Sequence, residues 1–292
     1  MLRPQPLSDL PENAGRRTAA TASSVRRAAV HSDLRAKRAF DDARAANADL
    51  SRQFDTVAER WDAEHGPGSA RGPELAARIQ FLRQRCCDLG RPRVLDLGCA
   101  TGQMLFRLYD LVETGVGVDI SPAMIGRAHA QQMTGRQHLR FEIDDIVHFC
   151  TNCRDRFDLV LLIGVIEHLP SQPAALASIG RVLAPSGRLI ILSPHPWNPL
   201  FRFKRLISAG HDEPPASHPS PWRLRRMAGR SGLALTAIDA LPYAPWPAPR
   251  KTLRRENNMV ARNGTCGPLV GMLPGAFAAE FARDRAGLQA VL

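Results

Sequence analysis

Between Arg93 and Ser121 the chain carries carboxylates and glycines at a spacing suited to an adenosine-type ligand. One apolar run, Arg93-Val94-Leu95-Asp96-Leu97, leads into Gly98-Cys99-Ala100-Thr101-Gly102, and a second, Gly115 to Ile120, contains Asp119 near its end. Glycines after a strand let backbone approach a ligand closely, and a carboxylate closing the next strand suits a ribose diol. The spacing then discriminates among nucleotides. A dinucleotide fingerprint needs glycine at its first, third and sixth positions, which here are Gly98, Ala100 and Gln103. A Walker loop needs Gly-Lys-Ser/Thr where this chain reads Gln103-Met104-Leu105. Both phosphate-binding readings lack essential parts, and what remains is a D-x-G-C-x-T-G loop.

Further candidates follow later apolar runs. Asp144-Asp145 comes after Leu139 to Ile143, where a carboxylate can accept from an adenine amino group; Asp145 is the preferred acceptor and Asp144 equally suits a solvated turn or a helix N-cap. The run Phe157 to Ile163 continues through Gly164-Val165-Ile166-Glu167-His168-Leu169, so a histidine arrives just past a strand end. That is a position for a general base, although a lone histidine is more often a structural hydrogen-bonding residue.

The elements that must position these residues alternate. Five apolar runs of strand length, Arg93–Leu97, Gly115–Ile120, Leu139–Ile143, Phe157–Ile163 and Gly187–Leu192, are separated by helix-compatible segments such as Ala123–Met133 and Pro173–Leu183. This rhythm predicts an α/β fold with a parallel sheet covered on both faces, in which ligands bind beyond the carboxyl ends of the strands. Ahead of it, Phe54, Val57, Ala58 and Trp61 fall at helical spacing, an aromatic stripe best read as packing. Leu75, Ile79 and Leu82 repeat the period in a second helix ending near Gly90.

With 292 residues, 44% of them hydrophobic, the chain can bury one sizeable core, so one domain with appendages is expected. Residues 1–48, rich in Ala, Arg, Ser and Thr, are expected to be a disordered basic tail, and 49–90 a helical cap. The main domain is expected over 91–292, with a lid insertion at about 195–230. No apolar run approaches bilayer length and the N-terminus lacks a secretory signal, so a soluble cytoplasmic protein is expected. The six cysteines are irregularly spaced and are read as reduced thiols. Cys150-Thr151-Asn152-Cys153 lacks a second pair at zinc-finger spacing, so no metal site is assigned.

The formal charge of +11 is uneven: residues 200–262 hold twelve basic and four acidic side chains. Three of the four tryptophans lie between 197 and 246, close to Arg202, Lys204, Arg205, Arg223, Arg225 and Arg226. A basic helix with aromatic neighbours suits a membrane surface, an acidic carrier protein or an anionic or prenylated substrate, and equally a solvated lid packed by its aromatics.

Taken together, Phe54-Asp55…Ala58…Trp61-Asp62, Asp96-Leu97-Gly98-Cys99…Gly102, Asp119-Ile120-Ser121…Met124, Glu167-His168-Leu169 and Leu183…Pro185…Gly187 resemble the class I S-adenosylmethionine-dependent methyltransferases over about Phe54 to Ala240. The likeness is to the group that includes ubiquinone-pathway O-methyltransferases and natural-product methyltransferases. Three positions depart from that pattern. Ala100 replaces the second glycine of the loop and Ser186 replaces a glycine before the fifth strand. Gly164 replaces the first glutamate of a Glu-x-x-Glu-His pattern thought to support a metal.

The resemblance implies a Rossmann-like, seven-stranded, mostly parallel sheet whose final pair is reversed, with Leu233–Ile238 in one strand and Phe277–Phe281 the best candidate for the last. It implies S-adenosyl-L-methionine as cofactor, held by Asp96, Gly98, Cys99, Ala100 and Gly102 of the first loop. Asp119, Ile120 and Met124 would follow the second strand, and Asp144, Asp145 and Ile163 would complete the shell. The implied reaction is O-methylation of a small hydrophobic, quinone-like, lipid-like or natural-product hydroxyl, with His168 as the catalytic residue; the departure at Gly164 argues against a metal, and none is assigned. An RNA methyltransferase is less favoured, since no recognition module or Asn-Pro-Pro-Tyr-like motif follows the fourth strand, and a non-catalytic binding protein is disfavoured by the intact loop.

Overall fold

A computed structural model describes residues 42–69, 71–132, 136–194, 218–241 and 276–284. The contacts separate residues 1–46, of which the described 42–46 are helical, from one compact unit, 47–292. The elements are α1 (42–65), α2 (Gly72–Leu89), β1 (Arg93–Leu97), α3 (Gln103–Leu108), β2 (Thr114–Asp119), α4 (Pro122–Gln131) and β3 (Leu139–Ile143). They continue with α5 (Ile146–Asn152), β4 (Phe157–Ile163), a 3-10 turn (Ile166–His168), α6 (Gln172–Val182), β5 (Leu183–Pro194), α7 (Pro221–Gly229), β6 (Leu233–Leu241) and β7 (Ala276–Arg283).

The seven strands form one sheet in the order β3-β2-β1-β4-β5-β7-β6. The first five are parallel, and β7 lies antiparallel between β5 and β6. The expected reversed final pair is present. Because strand side chains alternate between faces, the continuous apolar runs split into two cores. Leu95, Leu97, Val160, Leu162, Leu189 and Ile191 face a cluster with Phe149, Leu176 and Ile179, on the side of α5 and α6. Val94, Leu159, Leu161, Ile190 and Leu192 face the opposite cluster with Leu82, Leu105 and Ile125, on the side of α2, α3 and α4.

Several boundaries differ from the sequence expectation. α1 begins by 42, earlier than the expected cap at 49, because Asn47, Leu50 and Ser51 continue the same helical face. β2 ends on Asp119 rather than Ile120, whose carbonyl is taken by the Ser51 hydroxyl. β5 starts at Leu183, directly after α6, since Phe157 already pairs with Leu183 before a register shift. β6 runs on to Leu241 and β7 to Arg283. Pro221–Gly229, expected within the lid, packs as α7 by burying Pro221, Leu224, Met227 and Ala228. The expected basic tail to residue 41, the lid from 195 to 217 and Met133 lie outside the described residues. No helix among the described residues is long and apolar enough to cross a membrane.

Candidate active site

Every expected site residue except Met124, which is buried within α4, sits in or beside a loop at the carboxyl end of β1, β2, β3 or β4. The first loop owes its shape to three left-handed residues: Gly98 at φ 75°, Ala100 at 47° and Gly102 at 77°. Ala100 therefore stands in a conformation that disfavours a side chain, and alanine is the smallest one that can occupy it. Gly98 and Cys99 both donate to the carbonyl of Val118, at 2.7 and 3.1 Å, which ties the loop to β2. Gly102 has no room for a side chain, since a Cβ there would lie 2.7 Å from the ring of Phe141.

Two buried carboxylates lie behind this loop. Asp119 accepts from the backbone N–H of Ala100 at 2.8 Å and, on its other oxygen, from that of Ser121 at 2.9 Å. Burial still raises its carboxyl above the ordinary value. Asp96 is 2% exposed, and among the described residues nothing donates a hydrogen bond to it. Burial, with Asp119 adding repulsion, pushes its carboxyl up to about 7. Two buried carboxylates beside a loop without lysine or arginine repel phosphate and favour a cation. The chemistry of this end of the sheet thus fits a nucleoside that carries positive charge and no phosphate.

The second and third loops present capping geometry. Ser121 caps α4 by accepting from Met124 N–H at 3.1 Å, and Ile120 is half-buried. Asp145, the expected adenine acceptor, caps α5 by accepting from His148 N–H at 2.9 Å. Asp144 instead accepts from Asp145 N–H and from the ring of His148, whose imidazole it holds above its ordinary value.

A set of contacts invisible to the sequence reading comes from α1. Asp62 accepts on one oxygen from Thr101 Oγ1 and Gln103 Nε2, both at 2.6 Å, and on the other from Gln131 Nε2 at 2.8 Å and Arg127 Nη2 at 3.3 Å. Asp55 accepts from Ser121 Oγ and from Ala123 N–H. Ser51 donates to the carbonyl of Ile120 at 3.0 Å, and Asn47 donates to Asp145 at 2.9 Å. The aromatic stripe Phe54-Ala58-Trp61 was readable by period. Its polar neighbours Asn47, Ser51, Asp55 and Asp62 share the same side of the helix at steps of four, four and seven, which was the available signal.

The carboxyl ends of β4 and β5 are organised differently. Gly164, at φ 66°, turns the chain out of β4 into the 3-10 turn, where Glu167 is 5% exposed and His168 half-buried. Ser193 at the end of β5 donates to Glu167 at 3.2 Å, and burial pushes the Glu167 carboxyl up to about 7. The His168 ring meets Phe54 of α1 edge to face, with centroids 5.7 Å apart and an interplanar angle of 89°. Phe54 in turn packs against Trp61, which stacks on His65 at 3.9 Å. The expected Ile163 is half-buried and leans on the core facing α2 and α3. Among the described residues no three His, Cys, Asp or Glu side chains converge as a metal-holding group.

Comparison with known proteins gives the family and agrees with the fold. Residues 68–238 match a family model described as a methyltransferase domain. The ubiquinone biosynthesis O-methyltransferase of Aeromonas salmonicida is 26% identical over 222 residues, covering 68% of this chain and 88% of that one. The enzyme of the same name from Alkalilimnicola ehrlichii is 26% identical over 204 residues, covering 66% and 81%. Among solved structures, magnesium protoporphyrin IX methyltransferase from Synechocystis PCC 6803 with bound SAH superposes with a TM-score of 0.58 at 16% identity, over 82% of this chain and 99% of that one. The family match covers more than half of the chain and the fold agrees with it. The chain belongs to the methyltransferase domain family, the class whose methyl donor is S-adenosylmethionine.

Proposed function

We propose that this methyltransferase modifies a hydroxyl group on a small hydrophobic acceptor such as a phenol or quinol. The observation that carries the reading is the placement of His168. It is half-buried in the turn after β4, at the same sheet edge as the Gly98–Gly102 loop, and packed edge-on against Phe54. The printed names of the curated relatives, ubiquinone biosynthesis O-methyltransferases, support an oxygen nucleophile on a quinone precursor.

S-adenosylmethionine, when bound, supplies an electrophilic methyl on a sulfonium centre. The chain's contribution is to place the acceptor in line with that methyl and to manage one proton. A phenol ionises only near pH ~10, so at neutral pH its nucleophilic form is scarce. His168 would accept the hydroxyl proton as the oxygen takes the methyl group, the carbon–sulfur bond to the donor breaking as the oxygen–carbon bond forms and the donor leaving as the neutral thioether. Phe54 and Trp61 restrict the orientation of the ring and exclude water from one side. In this reading Asp96, Gly98, Cys99, Ala100 and Gly102 line the cofactor, Asp119 faces the ribose, and Ile120, Met124, Asp144, Asp145 and Ile163 shape the adenine side. The exposed Trp222, Arg223, Arg225 and Arg226 of α7 form a basic, aromatic surface suited to bringing a lipid-like or carrier-bound acceptor.

The test is methyl transfer from S-adenosylmethionine to phenols, quinols and carrier-bound acyl compounds, with total RNA in parallel. Activity on a phenol or quinol is expected, and transfer to RNA alone overturns the reading. With a productive acceptor, His168→Ala should lower kcat about 100-fold, the usual contribution of a positioned base, without changing the affinity for the methyl donor. Full turnover in that variant removes His168 from the mechanism.

A further inference from the structure

We propose that Arg71, just before α2, and Arg78, in its second turn, form a subsite for a carboxylate carried by the methyl acceptor. The proposal rests on the reading of the turn after β4 as the acceptor side, and adds to it the charge of the molecule that enters there. A line of ring contacts leads away from that turn. His168 meets Phe54 with centroids 5.7 Å apart, Phe54 meets Trp61 at 6.1 Å, and Trp61 stacks on His65 at 3.9 Å. His65 in turn meets Arg71, its Nε2 lying 2.6 Å from the guanidinium Nη1. The positive charge of Arg78 acts on His65 and on Glu167, so it is felt at both ends of this line.

The cluster holds a guanidinium in place without giving it a carboxylate of its own. His65 Nδ1 lies 3.2 Å from the carbonyl oxygen of Trp61. A carbonyl only accepts, so Nδ1 carries the proton and Nε2 offers its lone pair to Arg71. The ring is therefore neutral, and burial, with the charge of Arg71 beside it, holds its value down to about 4. A neutral ring orients the guanidinium without discharging it. The chain behind Arg71 is fixed as well: its N–H donates to Ser69 Oγ at 3.1 Å, and that hydroxyl donates to the Gly66 carbonyl at 2.8 Å. Among the described residues Arg71 makes no ion pair. Arg78 pairs with the buried Glu74, yet its Nε is buried and meets no acceptor among the described residues. Of the other carboxylates that act on this group, Glu64 is exposed and paired with Arg60, and Glu167 is pushed up to about 7. Two guanidiniums thus face Glu74 and a Glu167 that is only partly ionised at neutral pH. The excess positive charge and the spare N–H donors suit an incoming anion, and a planar carboxylate takes two parallel N–H bonds from a guanidinium fork. A hydroxylated aromatic acid would then lay its ring against Phe54 and Trp61, with its hydroxyl toward His168 and its carboxylate toward the arginines.

The test is the affinity of the full chain, mixed with S-adenosylhomocysteine, for two catechol acids of different reach, protocatechuate and caffeate, each against its uncharged methyl ester. Ligand-detected NMR titration at neutral pH reads it. At least one acid is expected to bind about tenfold more tightly than its ester. Arg71→Ala and Arg78→Ala should each erase that preference by weakening the acid and leaving the ester alone. Arg71→Lys, which keeps the charge and loses the fork, should retain part of it. Arg83→Ala, which breaks the exposed pair with Asp110, is the control and should keep the whole preference. In turnover, loss of either arginine should raise KM for the preferred acid about tenfold with kcat little changed, which separates anchoring from chemistry. Arg78→Ala also strips Glu74 of its partner; where it does not fold, the Arg71 variants decide. Equal or absent binding of acid and ester in the wild type, or a preference that survives in every folded arginine variant of the pair, overturns the subsite. Phenyl phosphate binding more tightly than either acid overturns the carboxylate. Preferred binding of an acid without methyl transfer to its hydroxyl leaves the subsite standing and overturns the hydroxyl acceptor. Methyl transfer to catechol with no preference for the acids does the reverse.

Discussion

The loops after β1, β2 and β3 and the turn after β4 share one edge of the sheet but solve different problems. On the first side most carboxylates are satisfied: Asp62 accepts from four donors, Asp119 from two backbone N–H groups, and Asp145 from His148 and Asn47. Around β4 and β5, Glu167 is buried with Ser193 as its side-chain donor, and its carboxyl is pushed up to about 7. Fixed hydrogen bonds preorganise a binding surface, whereas a titratable group held near neutrality can exchange protons during a reaction. Asp96 is the exception on the first side: burial, with Asp119 adding repulsion, pushes its carboxyl up to about 7.

Three measurements sharpen or break this division. The largest effect is expected from Asp119→Ala, which removes the carboxylate proposed to face the ribose and frees two N–H groups of the loops. Calorimetry should show S-adenosylmethionine binding weakened about thirtyfold, from about 2 kcal/mol of lost interaction. Unchanged affinity would show that the carboxylate serves only the loops.

Gly102→Ala comes next. It places a Cβ at φ 77° and against Phe141, so thermal unfolding should report a loss of about 2 kcal/mol, a fall of roughly 6 °C in Tm. A variant as stable as wild type would mean that the loop relaxes freely and is not preorganised.

The smallest effect concerns pH. Asp96 and Glu167 have folded-state values near 7, above those of unfolded carboxylates, so they bind more protons when folded. The stability they contribute is fully present below the unfolded value near pH ~4 and is lost as pH rises through about 7. A cationic ligand beside Asp96 favours its ionised form. Binding at pH 6.5 should therefore release a proton, seen as a dependence of calorimetric heat on buffer ionisation enthalpy, and affinity should rise a few-fold between pH ~6 and ~8. If the heat is the same in all buffers, Asp96 does not sense the ligand.

Much of the fold was open to reading because its causes are local. Continuous apolar runs of strand length, separated by helix-length segments, produced β1, β3 and β4 at their observed bounds. The last strand, by contrast, was sought because the family resemblance implied it, and its candidate Phe277–Phe281 lies within Ala276–Arg283. The boundaries that moved did so because a tertiary partner extended or ended the element. β5 was lengthened by the pairing of Phe157 with Leu183. α7 was drawn into the helical layer by Leu224 and Met227, which pack into the core facing α5 and α6.

At the site, the same distinction holds residue by residue. The turn at Gly98 and Gly102 and the strand-end position of Asp119 were readable because each leaves marks within a few neighbouring residues. Asp62 and Asp55 were visible as letters beside an aromatic stripe, yet their partners lie 39 to 69 positions away. Glu167 likewise meets its donor, Ser193, 26 positions on.

The sequence by itself determined the strand–helix alternation and the glycine-bearing loop after β1, because backbone conformation and side-chain period are set by near neighbours. Only the tertiary structure decided that α1 reaches all three loops and that His168 faces Phe54 across the sheet edge. It alone decided that Asp96 has no donor among the described residues. Those outcomes depend on which side chains meet after the chain is packed, and no local pattern encodes a meeting between residues a hundred positions apart.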